Sequence, residues 1–365
     1  MLPPVWVDTS FHRPSTVTMA YDPLPSPALT KKPMSWDPPS QRKPRIIWGI
    51  AALAAFFYVF YLLQKPSFSI PSHFRTPNSA SSSDPLDIDN TVLIPQTQPE
   101  GIPTKIWQIF FGYTELDDAM AGLIRTWPTK NQDTCYTLMS AKGCEDFANK
   151  HYSNRPRILH TFQNLTLPVL RSDLMRYMLL ESEGGVYSDT DTQCKQPFAE
   201  WIPASIDKKA VKAIVGIEYD ERNDEPRGGM AKMQFAQSTM AAAPGHPIMT
   251  KVIDRVVGGL IRVAEESGTT IADIKPKFHD VLNTTGPMVY TNAVFEHMSD
   301  VTGTEMSYLN CSGMQKPTLF GDVLVLPIDG FCTGQGHSGS GQDPEASLVQ
   351  HMFKASWVDS VGGFD

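Results

Sequence analysis

Arg171-Ser172-Asp173-Leu174-Met175-Arg176-Tyr177, followed by Glu183-Gly184-Gly185-Val186-Tyr187-Ser188-Asp189-Thr190-Asp191, is the stretch on which the fold turns. It reads as a polar-faced helix, a glycine turn, and a short apolar strand ending in two carboxylates. Asp189 and Asp191 are two apart, so on a regular strand their side chains share one face. Carboxylates converging at a strand end make a hard-oxygen site for a divalent cation. A cation held there is placed to carry the phosphates of a nucleotide, which points to nucleotide-sugar transfer. A bare DxD is weak evidence, and Asp87-Ile88-Asp89 is a second one in a Ser/Pro-rich stretch, read as solvated. The helix, glycine turn and strand ahead of Asp189 are what make this pair specific.

Asp173 and Arg176 are three apart and neighbour each other on one helix face. A surface ion pair is the bland reading. Their place just ahead of the metal strand favours a carboxylate for sugar hydroxyls and a guanidinium for phosphate or sugar-ring charge. Glu218 and Asp220 follow an apolar strand and are candidates for the acceptor or the reacting sugar face; the rival reading is a charged loop, since charges run on to Arg227.

Strand and helix signals alternate around this segment. Strands are predicted over 105–111, 134–139, 186–189, 211–217 and 323–328. Helices are predicted over 116–126, stopping before Pro128, and over 142–151, 169–182 and 247–266. Alternation of this kind predicts an α/β sandwich on a largely parallel sheet. Ligands of such sheets bind beyond the carboxyl ends of the strands.

The 365 residues carry a formal net charge of -8 and no basic stripe beyond the first 50, which argues against a nucleic-acid binder. Prolines crowd residues 1–100. Residues 46–63 are uncharged and almost wholly apolar, and eighteen residues span roughly 27 Å as a helix, enough for a thin bilayer. Lys31, Lys32, Arg42, Lys43 and Arg45 precede them, so the positive-inside bias puts the N-terminus in the cytosol. The organisation predicted is a disordered cytosolic tail (1–45), a transmembrane signal-anchor (46–63), a Ser/Pro-rich stem (64–100) and a lumenal catalytic domain (101–365). Sequons at Asn164, Asn283 and Asn310 agree with a lumenal body. Of the five cysteines, Cys135 and Cys144 are close enough in sequence to pair, and the odd number leaves at least one unpaired.

The segments IPTKIWQIFFG, LRSDLMRYMLLESEGGVYSDTDT, VGIEYDER, MAAAPGHPIM, TTGPMVYTNAVFE and VQHMFKASW resemble the DxD-containing sugar transferases of fungi, in particular the initiation-specific α-1,6-mannosyltransferases of N-glycan outer chains. The resemblance covers roughly residues 100–358. It implies a GT-A fold, GDP-mannose as donor, Mn²⁺ as metal, and a Golgi membrane enzyme of type II topology, with an N-glycan acceptor and a place in a Golgi enzyme complex. On this chain it implies Asp189 and Asp191 as metal ligands and Asp173 and Arg176 as the donor-sugar pair. It places Trp107 near the nucleotide base, where a core tryptophan is the equal alternative. His351 falls in a C-terminal segment that closes over metal and diphosphate in similar enzymes, as a third ligand or a core histidine, and Lys354 faces the diphosphate. Relatives usually carry glycine before Ser-Trp; this chain has Ala355. Thr285-Gly286-Pro287 resembles a loop lining the acceptor side.

The expected reaction is α-1,6 transfer of mannose with retention. It proceeds through a carboxylate nucleophile, for which Glu218 or Asp220 is needed, or through same-face attack in which the departing diphosphate takes the acceptor proton. One rival is a related mannosyl- or galactosyltransferase acting on another glycan or a lipid. Lipid-directed relatives tend to carry further membrane spans near the C-terminus, and no long apolar run follows Leu63. The other rival, an inactive glycan-binding or scaffold subunit, predicts a degraded metal motif, whereas both aspartates are intact.

Overall fold

The structure, a computed structural model, describes residues 101–111, 116–222, 231–354 and 358–361. The proposed anchor at 46–63, the Asp87/Asp89 triplet and Ala355 lie outside the described residues. Among the described residues no helix is long and apolar enough to cross a membrane.

In chain order the main elements are β1 (Lys105–Ile109), α1 (Asp118–Lys130), β2 (Cys135–Met139), α2 (Ala141–Tyr152), α3 (Pro156–Asn164), α4 (Pro168–Glu183), β3 (Gly185–Ser188), β4 (Thr192–Cys194), β5 (Ala213–Asp220), β6 (Met233–Phe235), β7 (Thr239–Ala242), α5 (Pro247–Glu266), α6 (Phe278–Thr284), α7 (Pro287–Thr302), β8 (Thr318–Phe320), β9 (Val323–Leu326) and β10 (Val349–His351). The strand order is β2-β1-β3-β7-β5-β9-β8, with β6 also on β5. β1 is parallel to β2 and β3, and β5 to β9, but β7 is antiparallel to both its neighbours and β8 to β9. The sheet is therefore mixed, not largely parallel. A parallel neighbour needs a crossover of a dozen or more residues. Between Asp220 and Thr239 the described residues hold no helix, and the chain returns antiparallel. Because β7 opposes both β3 and β5, those two run the same way, as does β1. Their carboxyl ends, at Ile109, Ser188 and Asp220, point the same way.

Local chemistry explains the elements that carry the site. α1 is capped by Asp117, whose carboxylate accepts the Met120 amide at 2.6 Å. It runs through Pro128, contrary to the sequence expectation. Pro128 sits in the last turn, where Asn131 bonds the Trp127 carbonyl with its amide (3.1 Å) and its carboxamide (2.9 Å). The fully buried Trp127 anchors that turn by donating its indole N–H toward Thr192. α4 is buried on nearly every side, Asp173 and Arg176 included, so it is not polar-faced. It ends at Gly184 (φ 64°) and Gly185 (φ 103°), which turn the chain directly into β3. A Cβ on Gly185 would lie 2.5 Å from the Lys105 carbonyl. α5 buries Ile248, Val252, Ile253, Val256, Val257 and Leu260, an i, i+3/i+4 stripe. That stripe packs on α4 and α7. Each such side chain contributes about 1.5–3 kcal/mol on burial.

β10 pairs antiparallel with β4, setting His351 opposite Thr192. The five cysteines are all free: Cys135 is exposed on β2 while Cys144 is buried on α2, so the suggested pair does not form. Of the sequon asparagines, Asn283 and Asn310 are exposed and Asn164 is half-buried.

Candidate active site

Asp189 and Asp191 do not lie on one strand. β3 stops at Ser188 and the two aspartates occupy a tight turn leading into β4. That turn is clamped at its backbone. The Asp189 amide donates to the Ser238 carbonyl (2.8 Å), and the Asp189 carbonyl accepts from the Gln108 amide (2.9 Å) and the Thr192 hydroxyl (2.6 Å). The turn still brings the carboxylates together, and His351 joins them: one ligand atom from each of the three lies within 4.8 Å of the others. His351 Nε2 is 3.4 Å from Asp191, and the Lys354 amide donates to the same carboxylate at 3.0 Å. Asp191 is thereby held below the usual carboxylate range: burial works against the charge, but the His351 contact and the Lys354 amide outweigh it.

Arg176 and Asp173 form the layer beneath. The Arg176 guanidinium lies 3.1 Å from Asp173 and 3.3 Å from Asp189, donates to the Gln237 carbonyl (3.3 Å), and stands over the Tyr187 ring at 5.0 Å. Asp173 accepts from Gln237 (2.8 Å) and from the Thr285 hydroxyl (2.7 Å). The pair is thus buried, Asp173 at 2% exposure and Arg176 at 6%, which excludes the rival reading of a surface ion pair. Burial pushes the Asp173 carboxyl up to about 6 despite Arg176. Asp189 is also raised by burial, with Arg176 offsetting part of it, and the Tyr187 hydroxyl donates to it at 2.6 Å.

Glu218, at the end of β5, completes the constellation. Gln234 donates to one of its oxygens, and the other is 3.9 Å from His351 Nδ1, a buried nitrogen with no hydrogen-bond partner. Burial raises Glu218; burial favours the neutral His351 ring, but Asp191 and Glu218 prevail and raise it. Four carboxylates (Asp173, Asp189, Asp191, Glu218) therefore face two cationic groups (Arg176, His351) around one cleft of about 590 Å³. With Lys354 also lining the cleft and the His351 ring neutral, as a metal ligand is, the four carboxylates meet two fixed cations and leave two negative charges, the complement of a divalent cation. Two carboxylates with one imidazole are a donor set that suits a manganese-class ion. The residues fit such a metal.

Lys354 lines the cleft, with its ammonium 3.9 Å from Asp117. Trp107 and Asp220 do not reach it. Trp107 donates its indole N–H to the Gly184 carbonyl (2.9 Å) and packs edge-on against Phe147. Phe111, two residues past the end of β1, is the aromatic that does line the cleft. Asp220 is turned away by an irregularity in the β5–β6 register between Ile217 and Tyr219. Its carboxylate accepts from Ser312 (2.8 Å), the Gly313 amide (2.7 Å) and Arg222. Residues the sequence did not single out, Tyr219, Gln234, Gln237, Gln335 and His337, line the cleft instead. Glycines at 334, 336, 339 and 341 were the available signal for the last two. Thr285 reaches the layer under the cleft through Asp173.

A second cluster, His246, His297 and Asp322, also brings ligand atoms within 4.8 Å. His246 Nδ1 accepts the Ile248 amide as the cap of α5 (3.3 Å), so its proton sits on Nε2, facing Asp322 at 3.5 Å. His297 Nε2 lies 2.9 Å from the other Asp322 oxygen. The cluster works as a polar staple between α5, α7 and the β8–β9 turn: His297 and Asp322 share a hydrogen bond, while His246 Nε2 faces Asp322 without a hydrogen-bond partner.

A family model described as a glycosyltransferase sugar-binding region containing a DXD motif matches residues 117–206. The chain is 32% identical over 263 residues to an initiation-specific alpha-1,6-mannosyltransferase of Schizosaccharomyces pombe, covering 71% of this chain and 64% of that protein. It is 30% identical over 287 residues to one of Candida albicans, covering 73% and 74%. A third, of Saccharomyces cerevisiae, is 22% identical over 380 residues, covering 71% and 79%.

Proposed function

This chain belongs to the DXD-motif glycosyltransferase family of the initiation-specific alpha-1,6-mannosyltransferases, and from that premise we propose that it moves mannose from GDP-mannose to a high-mannose N-glycan, in α-1,6 linkage with retention. The observation that carries the reading is the convergence of Asp189, Asp191 and His351 at one cleft with a surplus of negative charge. We read the fold as GT-A, the protein as a type II Golgi membrane enzyme anchored by residues 46–63, and the sequon asparagines as lumenal.

Asp189, Asp191 and His351 would hold Mn²⁺, which supplies positive charge to the departing diphosphate. Arg176 fixes Asp189 from below and offsets part of the rise that burial imposes on its carboxyl. Lys354 adds a cation at the same end of the cleft. Phe111 and Val169, both in the cleft lining, would offer the nucleobase an apolar contact. Asp220 is spent on its loop contacts, so a covalent route leaves Glu218 as the one carboxylate of the two predicted. Otherwise the departing diphosphate takes the acceptor proton, and Glu218 serves by polarising the acceptor hydroxyl.

The test is transfer by the full-length protein from a panel of GDP- and UDP-sugars with Mn²⁺, beside Asp189→Asn and Asp191→Asn. Mannose transfer from GDP-mannose is expected, falling at least about 100-fold in each variant. Activity with UDP-sugars and none with GDP-mannose overturns the donor. Transfer surviving both substitutions overturns the site.

A further inference from the structure

We propose that Gln234, Tyr219 and His337 form the subsite for the acceptor sugar, a neutral hexopyranose, on the part of the cleft wall beside Glu218. The inference rests on the reading of this cleft as a sugar-transfer site.

Three observations carry it. The Gln234 side chain is 6% exposed and lines the cleft; its amide donates to Glu218, while its carbonyl oxygen is buried without a hydrogen-bond partner. A buried carboxamide oxygen left unpaired costs free energy unless something donates to it. A sugar hydroxyl is such a donor, and Glu218, the carboxylate proposed for the reacting face, lies beside it. Tyr219 is the strand partner of Gln234, and its ring meets the His337 imidazole at 5.8 Å, tilted by 55°. The two rings give the cleft a partly apolar face, the complement of the C–H face of a pyranose.

The third observation is the effort spent on holding His337 in place. The loop 333–341 is pinned by one buried carboxylate: Asp329 accepts from the Thr333 hydroxyl (2.9 Å) and from the amides of Gly341 (2.6 Å) and Asp343 (2.8 Å). Gln335 ties its middle to the carbonyls of Glu218 (3.1 Å) and Cys332 (3.0 Å). Ser338 takes a left-handed backbone (φ 55°), and its hydroxyl accepts the Asp220 amide (3.0 Å) and contacts His337 Nδ1 (2.8 Å). A non-glycine residue persists there only when its surroundings fix it. Asp220, which does not reach the cleft, helps to set that wall: it joins β5 to this loop through its amide and to Ser312 and Gly313 through its carboxylate.

The experiment measures KM for donor and acceptor separately in the full-length protein, with GDP-mannose and either methyl α-mannopyranoside or a free high-mannose oligosaccharide. His337→Ala and Gln234→Met are each expected to raise the acceptor KM about tenfold and leave the donor KM within about twofold. One monodeoxy analogue of the methyl mannoside binds the native enzyme more weakly and the Gln234→Met enzyme no worse than the parent sugar does. An unchanged acceptor KM in both variants, or a fall in kcat alone, overturns the subsite and leaves the donor reading standing. If the native enzyme neither binds nor turns over GDP-mannose, the donor reading itself fails first.

Discussion

Arg176→Met tests the buried layer under the metal turn. Arg176 is 6% exposed and serves Asp173 (3.1 Å) and Asp189 (3.3 Å) together. Removing one partner of a buried ion pair costs about 3–5 kcal/mol, because the other charge stays buried and unpaired. Protonation sets a limit on the Asp173 share. Burial already raises that carboxyl to about 6 with the guanidinium in place. Without it Asp173 takes up a proton, so its further cost at pH 7 is at most about 1.4 kcal/mol, one pH unit's worth. Asp189 and the lost Gln237 and Tyr187 contacts account for the rest. The sign follows: a carboxyl whose folded pKa is raised costs stability as pH rises, so the Asp173 share is absent below about pH 6 and opens above it. In urea titrations followed by tryptophan fluorescence, Arg176→Met should lose about 3–5 kcal/mol at pH 7 and the gap should narrow by about 1 kcal/mol at pH 5.5. Asp173→Asn added to Arg176→Met should restore at least that amount, because a neutral amide also removes the cost of protonating Asp173 on folding at pH 7. A gap that is the same at both pH values, with a double variant no more stable than the single, would refute the reasoning.

Asp322→Asn removes the charged acceptor shared by His246 and His297 and should cost about 2 kcal/mol at pH 7 in the same titration. Burial opposes the Asp322 charge, but the two imidazoles outweigh it and hold the carboxyl well below its usual range. A depressed carboxyl contributes above its unfolded pKa, so native and variant curves should converge as pH falls below about 4; a constant offset would count against the staple. Gly185→Ala meets both a φ of 103° and the Lys105 carbonyl, and should destabilise by at least about 2 kcal/mol; a neutral effect would mean that the α4–β3 turn relaxes freely. A thiol reagent should titrate one cysteine, Cys135, in the native protein and all five in denaturant; two or more fast thiols in the native state would contradict the packing.

Where the sequence was informative, the signal was local. The stripe of α5 repeats every three or four residues, and Pro247 and His246 mark its start, so its bounds of 247–266 are legible. The glycine pair at 184–185 marks the passage from helix to strand for the same reason. What was not legible depended on distant residues. Trp107 and Phe111 are equally aromatic on paper, and only their places, one inside β1 and one past its end, separate packing from cleft. Asp220 reads like Glu218 until the register shift turns it aside. Pro128 reads as a stop, and a buried tryptophan beside it carries the helix on. The antiparallel β7 is four residues of small and apolar side chains with no periodicity to announce its direction. Asp173 and Arg176 read as a functional pair, but a motif spaced by three residues says nothing about depth, and α4 is covered on nearly every side, the stretch from Asp173 to Leu180 wholly.

The pairing of β10 with β4 sets the order in which the site comes into being. The Met352 amide bonds the Asp191 carbonyl (3.0 Å), and the Lys354 amide bonds its carboxylate across 163 positions of sequence. During synthesis the sheet from β1 to β9 emerges with Asp189 and Asp191 already in their turn, but as a cation site lacking its nitrogen donor. Completion waits until residues 349–354 leave the ribosome and lie down along β4. A nascent or prematurely stopped chain would thus hold the metal turn without the imidazole that finishes it, and would stay idle toward its donor.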